Sequence, residues 1–318
     1  MLEGVMLFFF LAVMVQFFTG VLASGLIVVF SAIDLITHRK MAPLDLLLSC
    51  LATSRIILQM CVFLAQLSLL YLVKYSLFVD NITFVLFTNE LNLWLATWLG
   101  VFYCAKIATI PHPLFLWLKM RISRLVPWLI LGSVFYSTIT AIIHSRETAT
   151  ISKQTFTSFF SKNATHSGQI NATLLSVFIL GLTLPLLIFI VAVLLLISSL
   201  CKHSWQMKTM VGARKSSRYS IISAMLSIIL FLFLYFSHYM IVVLISTQGF
   251  QFGRASFQVG MLVFGICLSL HSIVLILGNP KLKQNAKMFI VHCKCCHCEK
   301  AWIISRAVPV THHSATKT

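Results

Sequence analysis

Seven long apolar stretches run through this chain, and they restrict it to a fold that spans a membrane. The hydrocarbon core of a bilayer is about 30 Å thick, which roughly 20 apolar residues of helix can cross. Because lipid offers the backbone no hydrogen bonds, each stretch is expected to be helical. The sequence therefore predicts an all-α membrane protein, a seven-transmembrane helix bundle over residues 1–279 with a cytoplasmic tail over 280–318. The predicted spans are 6–33, 44–73, 84–109, 126–144, 174–201, 220–246 and 258–279.

Lysine and arginine are distributed unequally between the two sides of the predicted bundle. Seventeen of them lie in the joins 34–43, 110–125 and 202–219 or in the tail, whereas five lie on the other side. Basic loops of membrane proteins stay in the cytoplasm, so the amino terminus is predicted to be extracellular and the carboxyl terminus cytoplasmic. The net charge of +17 thus favours contact with anionic membrane lipid and an acidic cytosolic partner, and not with nucleic acid.

Three glycosylation sequons begin at Asn81, Asn163 and Asn171, all on the side predicted to be extracellular. Asn163 lies in the middle of its loop and is the predicted glycosylation site. Asn81 and Asn171 are secondary candidates, because each lies close to the end of a predicted span. No cysteine of the sequence lies in an outer loop, so no extracellular disulfide is expected.

Four cysteines cluster in the predicted cytoplasmic tail, directly after a basic segment that would lie next to the membrane. Palmitoylation is the favoured interpretation. Metal binding is an alternative, but the spacing is too tight for an ordinary tetrahedral zinc fold, and we predict no metal site. The palmitoylation candidates are Cys293, Cys295, Cys296 and Cys298.

Charged residues inside membrane spans are costly and usually functional. Arg55 lies about three turns into the second span and is predicted to face the bundle interior, bonded to carbonyls or to hydroxyls such as that of Ser24. Asp45 and Lys106 lie near the inner ends of their spans, where anchoring at the membrane interface is the simpler interpretation.

The third span carries a second polar group. Glu90 and Trp94 are four residues apart and share a helix face. A carboxylate beside an indole predicts a floor for an amine or peptide ligand, because the acid pairs with a cation and the ring offers a stacking surface. A polar contact between two helices is the alternative. The predicted pocket residues of this span are Asn89, Glu90, Asn92 and Trp94.

Several function classes find no support in the sequence. The motifs HExxH and GxSxG and a glycine-rich phosphate loop are all missing, so we expect neither an enzyme nor a cofactor. An odd number of spans without an internal repeat argues against a transporter, which remains the alternative from a different class. Elimination favours a seven-helix signalling receptor.

Five segments in different spans carry a resemblance to a known family. They are LLLSCLATSR (46–55), LWLATWLGVFYCAKIA (93–108), HPLFLWLKMRIS (112–123), PLLIFIVAVLLLISSLCKH (185–203) and HSIVLILGNPKLKQ (271–284). Together, and in this order, they resemble the bitter taste receptors (type 2 taste receptors). The resemblance implies a G-protein-coupled receptor in the plasma membrane that binds bitter small molecules or peptides. It also implies coupling to a heterotrimeric G protein of the gustducin or inhibitory type. A vomeronasal-type chemosensory receptor is the nearer alternative.

The resemblance also implies roles for individual residues. The ligand cavity would lie in the outer halves of helices two, three, five, six and seven, and Asn163 matches the glycosylated loop site. Ser24 stands where the family carries an asparagine, which weakens the expected polar link to Arg55. The implied ligand-binding residues are Gln66, Asn89, Glu90, Trp94 and, less closely matched, His238. The implied structural and switch residues are Arg55, Tyr103, Lys106, Leu200, His271 and Leu282, with Pro185 and His203 bounding the fifth-helix segment.

Overall fold

A computed structural model describes residues 2–70, 72, 74, 80–110, 112–160, 172–209, 215–248 and 254–289, and these are almost entirely helical. A short helical segment, α8, covers residues 280–289 directly after the last long helix. The long helices are α1 (Leu2–His38), α2 (Pro43–Leu69), α3 (Ile82–Ile107), α4 (Pro113–Phe160), α5 (Ala172–Thr209), α6 (Lys215–Gln248) and α7 (Arg254–Gly278).

Helix α3 differs from the other six in composition. Within the described residues, each of the other six helices is long and apolar enough to cross a membrane. In α3 the polar residues Thr88, Asn89, Glu90 and Asn92 interrupt the apolar sequence, yet all four side chains are buried. They are tolerated because α3 packs against α2, α4 and α5 and so occupies the bundle interior. With α3 as the seventh helix, the predicted fold class is confirmed.

The helix ends do not coincide with the limits of the predicted spans. Helix α4 is 48 residues long and encloses the whole of the predicted span 126–144. A helix continues into water wherever its sequence allows, so the limits of the spans remain predictions. Proline is accommodated at five helical positions of the described residues. Pro43, Pro113 and Pro280 begin α2, α4 and α8, where the missing N–H costs no hydrogen bond. Pro127 and Pro185 lie inside α4 and α5.

The centre of the bundle is a continuous apolar core. Leu51, Leu99, Phe189 and Tyr235 are each at most 1% exposed. Gly100 is required for this packing, because a Cβ atom there would lie 2.7 Å from the Phe189 ring. The outer surface is apolar as well, so the buried polar groups identify the regions where function is to be sought.

Candidate ligand and switch sites

Arg55 lies at the centre of a polar network that joins four helices. Its side chain is 1% exposed. Nη2 lies 2.8 Å from Nδ1 of His271, Nε donates to Oδ1 of Asn92 at 3.3 Å, and Nη1 donates to Ser272 at 3.5 Å. The Ser24 hydroxyl lies 2.8 Å from that of Ser272. Ser24 therefore reaches Arg55 through Ser272, and α1, α2, α3 and α7 are all tied to one buried cation.

The half of the bundle in which α1, α3, α5 and α7 begin is termed the outer half, after its predicted orientation, and the opposite half is termed the inner half. The outer half contains a second buried pair. Nε2 of His238, on α6, lies 3.0 Å from Oδ1 of Asn89 on α3. The His238 ring also packs against the Phe264 ring of α7, with the ring centroids 4.8 Å apart. Asn89 and Asn92 are three residues apart on α3, so the pair lies one turn from the Arg55 network.

Glu90 faces α4 and α5. It is 4% exposed and accepts a short hydrogen bond from the hydroxyl of Thr140 on α4. One of its carboxylate oxygens lies 3.7 Å from the position that a Cβ atom would occupy at Gly181 of α5. The small residue at 181 leaves room for the carboxylate between the three helices.

Trp94 lies one turn from Glu90 in an aromatic group that also faces α4. Its ring stacks on Trp98 with a centroid distance of 5.4 Å, and Tyr136 meets it edge-on at 5.5 Å. Nε1 of Trp98 donates to Ser133 at 2.8 Å. Glu90 and Trp94 share one face of α3, and both side chains lie against α4.

Four buried side chains in this half hold polar atoms without a hydrogen-bond partner in the described part of the chain. The atoms are both side-chain amide atoms of Gln16 and of Gln66, Nε1 of Trp94 and the Ser137 hydroxyl. Such groups are costly unless a ligand or ordered water pairs with them. Ser137 was not predicted, although its spacing of four from Ser133 matches that of Trp94 and Trp98 on the facing helix.

The inner half of the bundle holds a cavity of about 110 Å³ between α3, α5, α6 and α7. Gly100, Tyr103, Phe189 and Ser227 contribute to its lining. Among the predicted switch residues, Tyr103 thus borders an open space. Leu200 packs beside it in a smaller apolar cluster, and Leu282 belongs to the main core. Lys106 lies near this end, with Nζ 5.9 Å from the centroid of the Phe102 ring.

Pro185 takes part in a junction of α3, α5 and α6. Its carbonyl accepts a hydrogen bond from the Thr97 hydroxyl at 3.0 Å, and the same hydroxyl lies 3.0 Å from that of Tyr235. The Tyr235 hydroxyl donates to the carbonyl of Leu93 at 3.2 Å. A movement of α5 at Pro185 would therefore disturb the hydrogen bonds that connect α5, α3 and α6.

An ionic cluster at the inner end was missed from the sequence. Nζ of Lys281 lies 2.7 Å from Asp34 of α1 and 2.8 Å from Asp45 of α2. Oδ1 of Asn279 accepts from the backbone N–H of Lys281 at 3.0 Å, so Asn279 caps α8, and Pro280 follows it. Partial burial lowers the pKa of Lys281, but bonding to the two carboxylates outweighs it, and the pKa is raised overall. Asp45 thus has a specific partner besides any interface role.

Some predicted sites lie outside the described residues. They are the glycosylation sites Asn163 and Asn171, the tail cysteines Cys293, Cys295, Cys296 and Cys298, and the side chain of His203. Asn81 is described: it is exposed and immediately precedes α3. In the ranges that the structure covers, no group of three or more His, Cys, Asp or Glu side chains could hold a metal ion.

Comparison with known proteins assigns the chain to one family. Residues 1–294 match the family described as "Taste receptor protein (TAS2R)". The chain is 69% identical to "Taste receptor type 2 member 119" of Mus musculus, over 100% of this chain and 97% of that protein. It is 51% identical to "Taste receptor type 2 member 1" of Pan troglodytes, over 93% of this chain and 100% of that protein. The matched region includes every long helix of the bundle.

Proposed function

This chain belongs to the taste receptor (TAS2R) family, a class of seven-helix membrane receptors, and we propose that it detects bitter small molecules or peptides. The family match over residues 1–294 carries the proposal. The transduction partner in this proposal is a heterotrimeric G protein of the gustducin or inhibitory type, bound at the cytoplasmic face. The family is one of receptors and not of enzymes.

We propose that agonists bind in the outer half, beside α3. Gln66, Glu90 and Trp94 supply the polar and aromatic contacts, supported by the unpaired buried atoms of Gln66 and Trp94. A ligand that hydrogen-bonds these atoms recovers the free energy that their burial costs. The Glu90 carboxylate would pair with a cationic group, and the indole would stack on an apolar one.

Asn89, Asn92 and His238 complete the proposed ligand-binding group. The side chains of these three residues already bond other helices. Asn89 is bonded to His238, and Asn92 to Arg55. A ligand that displaces either asparagine changes a contact between α3 and another helix. Binding energy in the outer half can therefore bias the arrangement of helices, provided that the ligand binds one arrangement more tightly than the other.

The proposed switch is the network around Arg55. A buried cation held by neutral acceptors is sensitive to small displacements, because losing one partner leaves charge unpaired in a medium without water. The network includes His271, whose ring lies 3.9 Å from that of Phe231 on α6, measured between centroids. Phe231 also lines the inner cavity, so a shift at Arg55 can be passed to the end where the G protein would bind.

The proposed orientation places the amino terminus outside the plasma membrane and the carboxyl terminus in the cytoplasm. The excess of lysine and arginine in the joins 34–43, 110–125 and 202–219 supports it. On this orientation, Lys106 and Lys202 lie at the inner ends of α3 and α5, where they suit an acidic helix end of a G protein as well as anionic lipid.

The test is a ligand screen in cells that express the chain together with a gustducin-type G protein linked to calcium release. A bitter compound should raise intracellular calcium only when both proteins are present. Cells lacking the chain, and cells lacking the G protein, are the controls. Uptake of a radiolabelled compound without dependence on the G protein would instead identify a transporter and overturn the proposal.

A further inference from the structure

A groove of about 260 Å³ lies between α2, α3 and α4, on the outside of the bundle. Helix α4 packs closely on α3 but contacts α2 only sparsely, and the gap between α2 and α4 forms the groove with α3 as its floor. Most of its lining side chains are half-buried or exposed, so it opens toward lipid. The residues that matter here are Ser49 and Thr53 of α2, Phe87 and Leu91 of α3, and Ile130 and Val134 of α4.

Two hydroxyls in this groove lack the hydrogen bond that membrane helices usually provide. A lipid-facing hydroxyl normally donates to the carbonyl one turn earlier. Thr19 and Thr138 do so, each at 2.7 Å. Ser49 and Thr53 line the groove, and neither side-chain hydroxyl makes a hydrogen bond in the part of the chain that the structure covers. Two donors facing hydrocarbon without a partner carry a desolvation cost that a bound hydroxyl would remove.

The depth of these hydroxyls narrows the identity of the ligand. Helix α2 has 27 residues, which at 1.5 Å per residue is about 40 Å, or about 5 Å beyond a 30 Å hydrocarbon core at each end. Ser49 lies six residues from Pro43, so its hydroxyl is about 4 Å inside the core boundary, and Thr53 is one turn deeper. A lipid with a single polar group at that level, and a rigid apolar body below it, matches the groove.

We propose that this groove binds a sterol, whose hydroxyl bonds Ser49 or Thr53 and whose ring system packs against Phe87, Leu91 and Ile130. A phospholipid chain would fill the same space, but its methylene groups offer no partner to the two hydroxyls. The bound sterol bridges α2 and α4, which otherwise touch little. The site is separate from the proposed agonist site and does not depend on the proposed function.

The experiment uses the full chain, purified in phosphatidylcholine nanodiscs, and a photoreactive sterol probe. Labelling should be saturable, should be displaced by unlabelled cholesterol, and should map to peptides of α2, α3 and α4. The double variant Ser49→Ala with Thr53→Val keeps the shape of the groove and removes both hydroxyls. Labelling of the double variant by the sterol probe should be about three- to tenfold weaker than labelling of the wild type, the effect expected for the loss of one hydrogen bond.

Thr19→Val is the matched control, since Thr19 also faces lipid but bonds its own helix, and it should label like wild type. A sterol lacking the hydroxyl tests the same point on the unmodified chain, so the test does not depend on whether the double variant folds. This sterol should compete with the probe about three- to tenfold more weakly than cholesterol. Equal competition by that sterol, or labelling that unlabelled cholesterol does not displace, would show that the hydroxyl is not recognised and would overturn the proposal.

Discussion

Glu90→Gln is expected to weaken cationic agonists selectively. The glutamine oxygen can still accept the hydrogen bond that the Thr140 hydroxyl donates to Glu90, so the contact between α3 and α4 is kept while the charge is lost. Glu90 is 4% exposed, which limits screening by water. A hydrogen bond to a charged group is then worth about 1.5–3 kcal/mol, or roughly tenfold to a hundredfold in potency. Neutral agonists should change little.

The assay is a dose–response series in calcium-reporting cells, with surface expression measured in parallel. Thr140→Val is the matched control, because it removes the partner of the carboxylate and keeps the charge. Trp94→Ala should weaken charged and neutral agonists alike, since it removes a stacking surface. Equal loss for charged and neutral agonists in Glu90→Gln would refute the reasoning and would assign the residue to helix packing.

Three further outcomes are expected. Asn163→Gln should abolish most of the gel shift that deglycosylation causes in the wild type; an unchanged shift would contradict the loop assignment. Neutralising Lys208, Arg214 and Lys215, whose side chains lie outside the described residues, should reduce signalling at normal surface expression, and full signalling would assign them to topology alone. Lys281→Met should lower the thermal-denaturation temperature by about 1–3 °C, since exposed ion pairs contribute about 0.2–1 kcal/mol, and Lys281→Arg should restore it. Because the pKa of this lysine is raised, the ion pairs stabilise the fold below pH 10.4 or so and weaken only as the pH rises through the raised value. The same difference between variant and wild type is therefore expected at pH 6 and pH 8, and a difference that vanishes at pH 8 would contradict the assignment.

The fold class could be predicted because the bilayer imposes a length and a composition on every span. Helix α3 is instructive, since its polar residues would be intolerable in lipid, and the apolar residues around them still mark a span. Helix limits could not be predicted in the same way. Nothing in the physics of the bilayer ends α4 at residue 144, and the helix continues to Phe160.

The sites were predictable only where one helix determines them. The spacing of Glu90 and Trp94 places both on one face, but the rotation of α3 that turns this face to α4 and α5 is set by packing among three helices. The ion pairs of Lys281 join residues more than 200 positions apart. Their one local signal was Asn279 followed by Pro280, which predicts a helix start and so fixes where Lys281 would stand.

The most direct test of the central claim uses only two purified components, the chain and its proposed G-protein partner. The chain is reconstituted in nanodiscs with a gustducin-type heterotrimer, and guanine-nucleotide exchange on the G protein is measured while a bitter agonist from the screen is added. The account predicts exchange that saturates with agonist and needs the receptor. Exchange that the agonist leaves unchanged, with a receptor that is shown to be folded and to bind the agonist, would contradict it.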